Sequence, residues 1–253
     1  MINAQNISFS YKTKTILDGI SLTLEKGELC SIIGVNGSGK TTLIRLLGRS
    51  LVPSCGTIEV DGRASRLYSP KDFEKKISRL PQSRELPISS VADFIASGRY
   101  PYLGFSGKLS ESDICALDKA VELTDTAHLL NKSMRELSGG ERQRVYFAML
   151  LAQDTPYVLL DEPVTYLDAP GRIELYELIQ MLKDEGKGIL SVSHDLSFAL
   201  AHSDKLLLLE NGRAAFYGSP DDTKLIPSLE RVFGIKCIQC NVEGETEYFF
   251  KKQ

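Results

Sequence analysis

Residues 34–42 read Gly34-Val35-Asn36-Gly37-Ser38-Gly39-Lys40-Thr41-Thr42. In front of them, the apolar run Leu29-Cys30-Ser31-Ile32-Ile33 has the pattern of a buried strand. Behind them, Leu43-Ile44-Arg45-Leu46-Leu47 supplies the apolar face of a helix. Strand, G-x-x-x-x-G-K-T and helix, in that order, form a phosphate-binding loop with the context it requires on both sides. Glycines permit turns that a Cβ would forbid. Successive N–H groups can then converge on a phosphate chain, and the helix N-terminus adds unpaired donors and partial positive charge. In such a loop Lys40 is placed to bridge the β- and γ-phosphates, and the Thr41 hydroxyl to ligate Mg²⁺.

The 253-residue chain has room for one large α/β domain or two smaller lobes. Its composition is that of an ordinary globular protein, 42% hydrophobic and 25% charged. A net charge of −3 removes any global electrostatic case for nucleic acid. No apolar run approaches the ~18 residues needed to cross a bilayer. Met1-Ile2-Asn3-Ala4-Gln5-Asn6 lacks the regions of a signal peptide. The expectation is a cytoplasmic chain that meets a membrane only through a partner. Of the five cysteines, Cys237-Ile238-Gln239-Cys240 has C-x-x-C spacing. No second pair or histidine lies near it in sequence, so reduced cysteines on a strand are expected in preference to a metal or redox site.

Along the chain, Ile2–Tyr11 has a strand pattern with Ile7, Phe9 and Tyr11 on one face. Residues 16–25 alternate again through Ile20, Leu22 and Leu24. A small antiparallel region therefore feeds the strand before the phosphate loop. Tyr11 is a candidate for stacking on a base, although a half-exposed strand aromatic is the simpler expectation from these residues alone. Thr57–Arg63 predicts a strand and tight turn, Asp72–Ile77 a helix, and Ile77–Gln82 a short strand ending at Pro81. From about residue 88 to 150 the strands stop. Helices are expected over Val91–Ala96, over Glu111–Leu123 with a stripe of Ile114, Leu117, Ala120 and Val121, and over Thr126–Leu130.

Leu137-Ser138-Gly139-Gly140-Glu141 then opens a long helix with a capping box, Ser138-x-x-Glu141. The cap does not need the two intervening glycines, which are costly in a helix. Glycines at a helix N-terminus suit close approach of an anion. Tyr157-Val158-Leu159-Leu160-Asp161-Glu162-Pro163 reads as a buried strand with two carboxylates at its end, where ligands bind in open α/β sheets. Asp161 is the expected acidic partner of the Mg²⁺ at Thr41, and Glu162 is placed to polarise an attacking water. Ile189–Val192 is a further buried strand, after one helix over Ile173–Leu182, and it carries His194 to the same sheet edge. His128 and His202 fall on expected helices. Leu206–Gly218 is a hairpin around Asn211-Gly212, and residues 221–253 add a helix and strands around Glu243-Gly244.

Taken in order, Tyr11, Gly34–Thr42, Gln82, Leu137–Glu141, Leu159–Pro163, Leu167-Asp168 and His194 resemble the ATPase subunit of ABC transporters over nearly the whole chain. The resemblance implies an α/β fold: a P-loop NTPase (RecA-like) core with a mixed sheet, an antiparallel β subdomain and a helical subdomain insert. It implies a single ABC ATPase domain over 1–253. The core and N-terminal β region would occupy 1–83 and 146–220, the helical insert about 84–145, and a C-terminal extension 221–253. It implies ATP and Mg²⁺ as cofactors, with Tyr11 stacking on adenine. Gly34, Val35, Asn36, Gly37, Ser38, Gly39, Lys40, Thr41 and Thr42 would bind ATP, and Thr41, Gln82 and Asp161 would hold the metal. Gln82 would sense the γ-phosphate, and Glu162 and His194 would be catalytic. Ser138, Gly139, Gly140 and Asp168 would act on the nucleotide of the opposite subunit in a head-to-tail homodimer.

The partners implied are polytopic membrane permease subunits and, indirectly, a substrate-binding protein, with no nucleic acid. The place implied is the cytoplasmic face of the cell (inner) membrane. Val164 and Tyr166 depart from the family's usual residues before Leu167-Asp168. Gly98-Arg99-Tyr100-Pro101-Tyr102-Leu103-Gly104 and Leu137–Arg144 are similar to the importers of iron–siderophore complexes, haem and cobalamin. The alternatives are the ABC ATPase of another importer or exporter, a nucleotide-binding regulator without catalysis, against which Glu162 and His194 speak, and a soluble ABC-type ATPase acting on DNA or the ribosome. Relatives of this last kind carry coiled-coil insertions or two such domains, and this chain has neither.

Overall fold

The computed structural model describes residues 1–80, 87–104, 107–165, 167–242 and 245–252. The chain opens with β1 (Ile2–Tyr11) and β2 (Lys14–Leu24), an antiparallel pair. Alternation along β1 is broken: Ile2 and Ala4 are buried, then Ile7 and Phe9. Asn6 takes a left-handed conformation, with a φ of 50°, and the register shifts between Ala4 and Ile7. Such a bulge changes which face the later residues present. Ile7 and Phe9 share the inner face as expected, whereas Tyr11 is exposed at the strand end.

The chain continues through β3 (Leu29–Gly34), α1 (Lys40–Leu47), β4 (Cys55–Val60), β5 (Arg63–Ala64), α2 (Pro70–Glu74) and β6 (Ile77–Leu80). The helix expected over Asp72–Ile77 lies further back and is shorter. Ser69 caps it through the Asp72 N–H (3.1 Å) and Pro70 fits its first turn. Ile77 is thereby released to the strand and pairs with Tyr157. The helical segment comprises α3 (Val91–Ala96), α4 (Glu111–Leu123) and α5 (Gly139–Gln153). Only a 3₁₀ turn, Ala127–Leu129, stands where a helix over Thr126–Leu130 was expected. In α4, Ala120 is buried but Ile114 is exposed, so the apolar stripe is shorter than the sequence suggests. Helix α5 runs unbroken past residue 145 into the core.

Then follow β7 (Tyr157–Asp161), α6 (Ala169–Asp184), β8 (Gly188–Val192), α7 (Leu196–His202), β9 (Lys205–Glu210), β10 (Arg213–Gly218), α8 (Leu225–Phe233), β11 (Ile235–Val242) and β12 (Glu245–Lys252). The central sheet has the order β10-β9-β3-β8-β7-β6, parallel throughout except for β10. A second sheet, β2-β1-β4-β5, is antiparallel, and β11-β12 forms a separate hairpin. Every residue of β3, β7 and β8 is buried. This is what a parallel sheet covered on both faces requires. One core cluster joins the antiparallel sheet to α1, a second packs α3, α4, α5 and α6 on the other side, and a third lies under α7, α8 and the last hairpin.

Candidate functional site

Strands β3, β7 and β8 deliver their carboxyl ends to one edge. There, Lys14, Ile16, Asn36, Gly37, Gly39, Lys40, Thr41, Thr42, Glu162 and His194 line a cleft of about 580 Å³. The β1–β2 hairpin supplies Lys14 and Ile16, which the sequence did not single out. Gly39 has a φ of 105°, and a Cβ on it would come within 2.6 Å of Leu17 Cδ2. Only glycine lets the loop turn there while the hairpin packs against it.

Lys40 is buried, and its Nζ donates to the carbonyls of Gly34 (2.7 Å) and Val35 (3.1 Å). Burial pulls its pKa below the ordinary lysine value, opposed by the charges of Glu162 and Asp161. Thr41 Oγ1 donates to Asp161 Oδ1 at 3.3 Å. Burial raises the Asp161 carboxyl above its usual range, and the Thr41 hydrogen bond works against that shift.

Glu162 is the next residue, yet it faces elsewhere. Its φ of 52° is left-handed, and its N–H is held by the Val192 carbonyl (3.1 Å). A non-glycine residue in this region is uncommon and concentrates at functional sites. The turn sets Glu162 Oε1 at 2.9 Å from His194 Nε2. The two neighbouring carboxylates thus serve two different partners, one toward α1 and one toward β8.

The site's residues fit a magnesium nucleotide. Hard cations take oxygen ligands, and the Thr41 hydroxyl and the buried Asp161 carboxylate converge as such a pair. Ser38 Oγ is buried in the loop with no hydrogen-bond partner among the described residues. A buried polar atom of that kind calls for one.

The capping box at Ser138 is present. Glu141 N–H donates to Ser138 Oγ (3.3 Å), and Ser138 N–H to Glu141 Oε2 (2.8 Å). That backbone bond, with Lys132 at 3.0 Å, holds the Glu141 carboxyl down at about 2. Ser138 and Gly139 are exposed, and the cleft around Lys40 is lined without Ser138, Gly139 or Gly140. The chain therefore does not bring the helix starts at Lys40 and Ser138 into one cleft. Asp168 caps α6 by accepting from the Gly171 N–H (3.1 Å). Tyr11 packs edge-on against Phe9, with centroids 4.8 Å apart, and stays exposed. Gln82 and Tyr166 lie outside the described residues.

Two tertiary ties were missed in the sequence. Gln143, buried on α5, donates from Nε2 to the Pro163 carbonyl and so joins the helix begun by Ser138 to the segment after Glu162. The available signal was a polar residue sharing a helix face with buried Phe147 and Leu150. The second tie anchors the segment 98–104. Arg99 is buried and paired with Asp113 (2.7 Å), donates to the Ala152 carbonyl (2.9 Å) and stacks over Tyr102 at 3.8 Å. A Cβ on Gly98 would stand 2.4 Å from the Met149 carbonyl, so α5 and this segment touch through backbone. Cys237 and Cys240 are free, three residues apart on β11, hence on opposite faces. Among the described residues no helix is long and apolar enough to cross a membrane.

The sequence pattern described as ABC transporter matches residues 17–165. The petrobactin import ATP-binding protein YclP of Bacillus subtilis (strain 168) is 35% identical over 235 residues, 92% of each chain. The ferric enterobactin transport ATP-binding protein FepC of Escherichia coli (strain K12) is 34% identical over 239 residues, 94% of this chain and 88% of that one. In three dimensions, an inward-facing transporter assigned to the metal-chelate type of ABC transporter superposes with a TM-score of 0.83 at 25% identity. The match covers 99% of this chain and 96% of that one.

Proposed function

Because the chain belongs to the ABC transporter family, as one of its transport-coupled ATPases, we propose that it powers uptake of an iron complex, a siderophore chelate in the first instance. The similarity to petrobactin and ferric enterobactin import subunits over more than nine-tenths of the chain supports the cargo class. Cassettes of this family pair and work with other transporter components. In this reading two copies bind head to tail, on the cytoplasmic face of the membrane, against permease subunits that a substrate-binding protein loads.

The observation that carries the mechanism is the split site. Lys40, Thr41, Glu162 and His194 share one cleft, with Asp161 bonded to Thr41 behind it, while the helix start at Ser138 lies outside it. Lys40 and the N–H groups of the loop neutralise the phosphates. Thr41 and Asp161, with Gln82 as a further ligand, would hold Mg²⁺, which would supply charge neutralisation at the phosphates when bound. Glu162 takes the proton of the attacking water, and His194 keeps Glu162 oriented through the 2.9 Å contact. Tyr11 of the same chain lies against the base, and a second copy's Ser138, Gly139 and Gly140 cover the γ-phosphate, with that copy's Asp168 at the seam. Charge-assisted hydrogen bonds of this sort contribute roughly 1.5–3 kcal/mol each. Several together supply the ~5.5 kcal/mol that carries an open–closed equilibrium from 1:99 to 99:1. Hydrolysis removes the bridging charge, and the pair opens.

The test has two arms. Glu162→Gln with ATP should trap a dimer by light scattering, and adding Ser138→Arg should abolish it. A Glu162→Gln chain that stays monomeric with saturating ATP refutes the split site. Uptake of ferric siderophore, haem and cobalamin by cells with and without the chain decides the cargo. Loss confined to haem or cobalamin would refute the siderophore reading.

A further inference from the structure

The last hairpin carries a surface that neither the ATP cleft nor the family's shared motifs use. In the β11–β12 register, Lys236 faces Lys251, Ile238 faces Phe249, and Cys240 faces Glu247. Alternation puts these six on one face and Ile235, Cys237, Tyr248 and Phe250 on the other. The second face is anchored: Ile235, Tyr248 and Phe250 pack on the cluster of Leu200, Phe216, Leu225 and Leu229. The first face is open. Ile238 is 43% exposed and Phe249 54%, although they are directly opposed across the two strands. Two large apolar side chains side by side on a surface mark a contact site more often than a lone one does. Addition of a strand at the edge is not the natural use, because Ser197 Oγ already donates to the Tyr248 carbonyl in the middle of β12 (3.0 Å). The face remains.

Its charge pattern names the occupant. Along β12 the open face reads Glu247, Phe249, Lys251, with opposite charges at equal distances on either side of the ring. A two-fold rotation about an axis through Phe249 lays Lys251 over the partner's Glu247, and Glu247 over the partner's Lys251. Isologous contacts need this self-complementarity, and like charges would meet if the two strands ran the same way. We propose that the open face of the β11–β12 hairpin packs, antiparallel and about a two-fold axis, on the same face of a second copy of this chain. Two Phe249–Ile238 pairs form its centre. The contact is small beside the ~800 Å² per partner of a standard interface. It therefore acts as a tether that holds two copies at high effective concentration between nucleotide-dependent closures. The proposal goes beyond the ATP-sandwich reading and survives its failure, since it needs no nucleotide.

Cross-linking without nucleotide tests it, on the full chain with Cys55, Cys115 and Cys240 replaced by serine. Facing sheets stand ~10 Å apart, so thiols at the axis fall within reach of a short bis-maleimide, whereas the two Lys251 positions are offset by about 14 Å along the strands. Phe249→Cys should therefore link to itself. Lys251→Cys mixed with Glu247→Cys should link at least tenfold faster than either chain alone. In the Phe249→Cys chain, Glu247→Lys or Lys251→Glu should each slow linking several-fold, and the two together should restore it. ATPase activity and circular dichroism confirm that each variant is folded. No Phe249→Cys link in a folded chain overturns the proposal. So does Lys251→Cys linking to itself as fast as to Glu247→Cys, or a charge swap that fails to restore the rate. In membranes holding the complete transporter, Phe249→Cys linking to a permease subunit instead of a second copy overturns it as well.

Discussion

Removing the Asp113 carboxylate should be among the most destabilising single changes outside the ATP cleft. Asp113 and Arg99 have side chains only 6% and 7% exposed and are 2.7 Å apart. Breaking a buried pair by deleting one partner costs about 3–5 kcal/mol, because the other charge stays buried without compensation. Two contacts survive for Arg99, the Ala152 carbonyl and the Tyr102 ring, which argues for about 3 kcal/mol. Asp113 also accepts from Ser110 N–H (2.9 Å) and Oγ (2.6 Å) in the capping box of α4, and losing a cap adds about 1 kcal/mol. Asp113→Ala should therefore cost about 4 kcal/mol, a large share of the 5–15 kcal/mol that holds a typical domain folded. The double variant Arg99→Met, Asp113→Leu should cost clearly less than the sum of its two single changes, since no lone charge remains.

The same pair has a pH signature. The Ser110 hydroxyl and N–H, with Arg99, hold the Asp113 carboxyl down at about 2, against 3.8 for an unperturbed aspartate. A depressed carboxyl contributes stability that is present above the unfolded value and lost as pH falls from ~4 toward ~2. Urea denaturation followed by far-ultraviolet circular dichroism, at neutral pH and across that window, measures both effects. Asp113→Ala within 1 kcal/mol of the parent, or a double variant as costly as the sum, would refute the argument.

Lys40→Ala should lower nucleotide affinity by an order of magnitude or more in equilibrium dialysis, because a buried ammonium at the centre of the loop is lost. His194→Ala should lower kcat with little change in KM, as it frees Glu162 without touching the phosphate loop. Equal effects on both constants would count against the orienting role. Gln143→Leu keeps the volume and removes the tie to the Pro163 carbonyl. Steady-state kinetics should show a fall in kcat of several-fold, with ATP affinity retained by the single chain. Ser138→Ala removes the cap of α5 and should cost about 1 kcal/mol in thermal or urea unfolding. It should also weaken ATP-driven dimerisation measured by light scattering.

Much of the fold and of the candidate site was legible because its signals are local. The phosphate loop is punctuated by glycine and lysine at fixed spacing. The largely apolar runs over residues 29–33, 157–160 and 189–192, each ending in a polar or glycine turn, read as strands buried on both sides. The box Ser138-x-x-Glu141 closes within one helical turn. Errors fell where a neighbour outweighed the local pattern. Ile77 joined β6 because Tyr157 offered a partner. The stripe of α4 stopped short of Ile114, which is exposed, because the residue that the first turn buries is Asp113, held by Arg99.

The sequence alone thus determined that a phosphate-loop motif, two strand-end carboxylates and a second, glycine-rich capped helix start exist in this chain. Each is set by residue type at short range, and short-range geometry carries over to any fold that contains it. Tertiary structure decided how they are shared out. The left-handed turn at Glu162 sends it to His194 while Asp161 goes to Thr41. Gln143 ties α5 to the segment after Glu162, and α5 opens outside the cleft. These relations join residues up to 120 positions apart, as Thr41 and Asp161 are. No periodicity records such a distance, because it is set by the order of strands in the sheet.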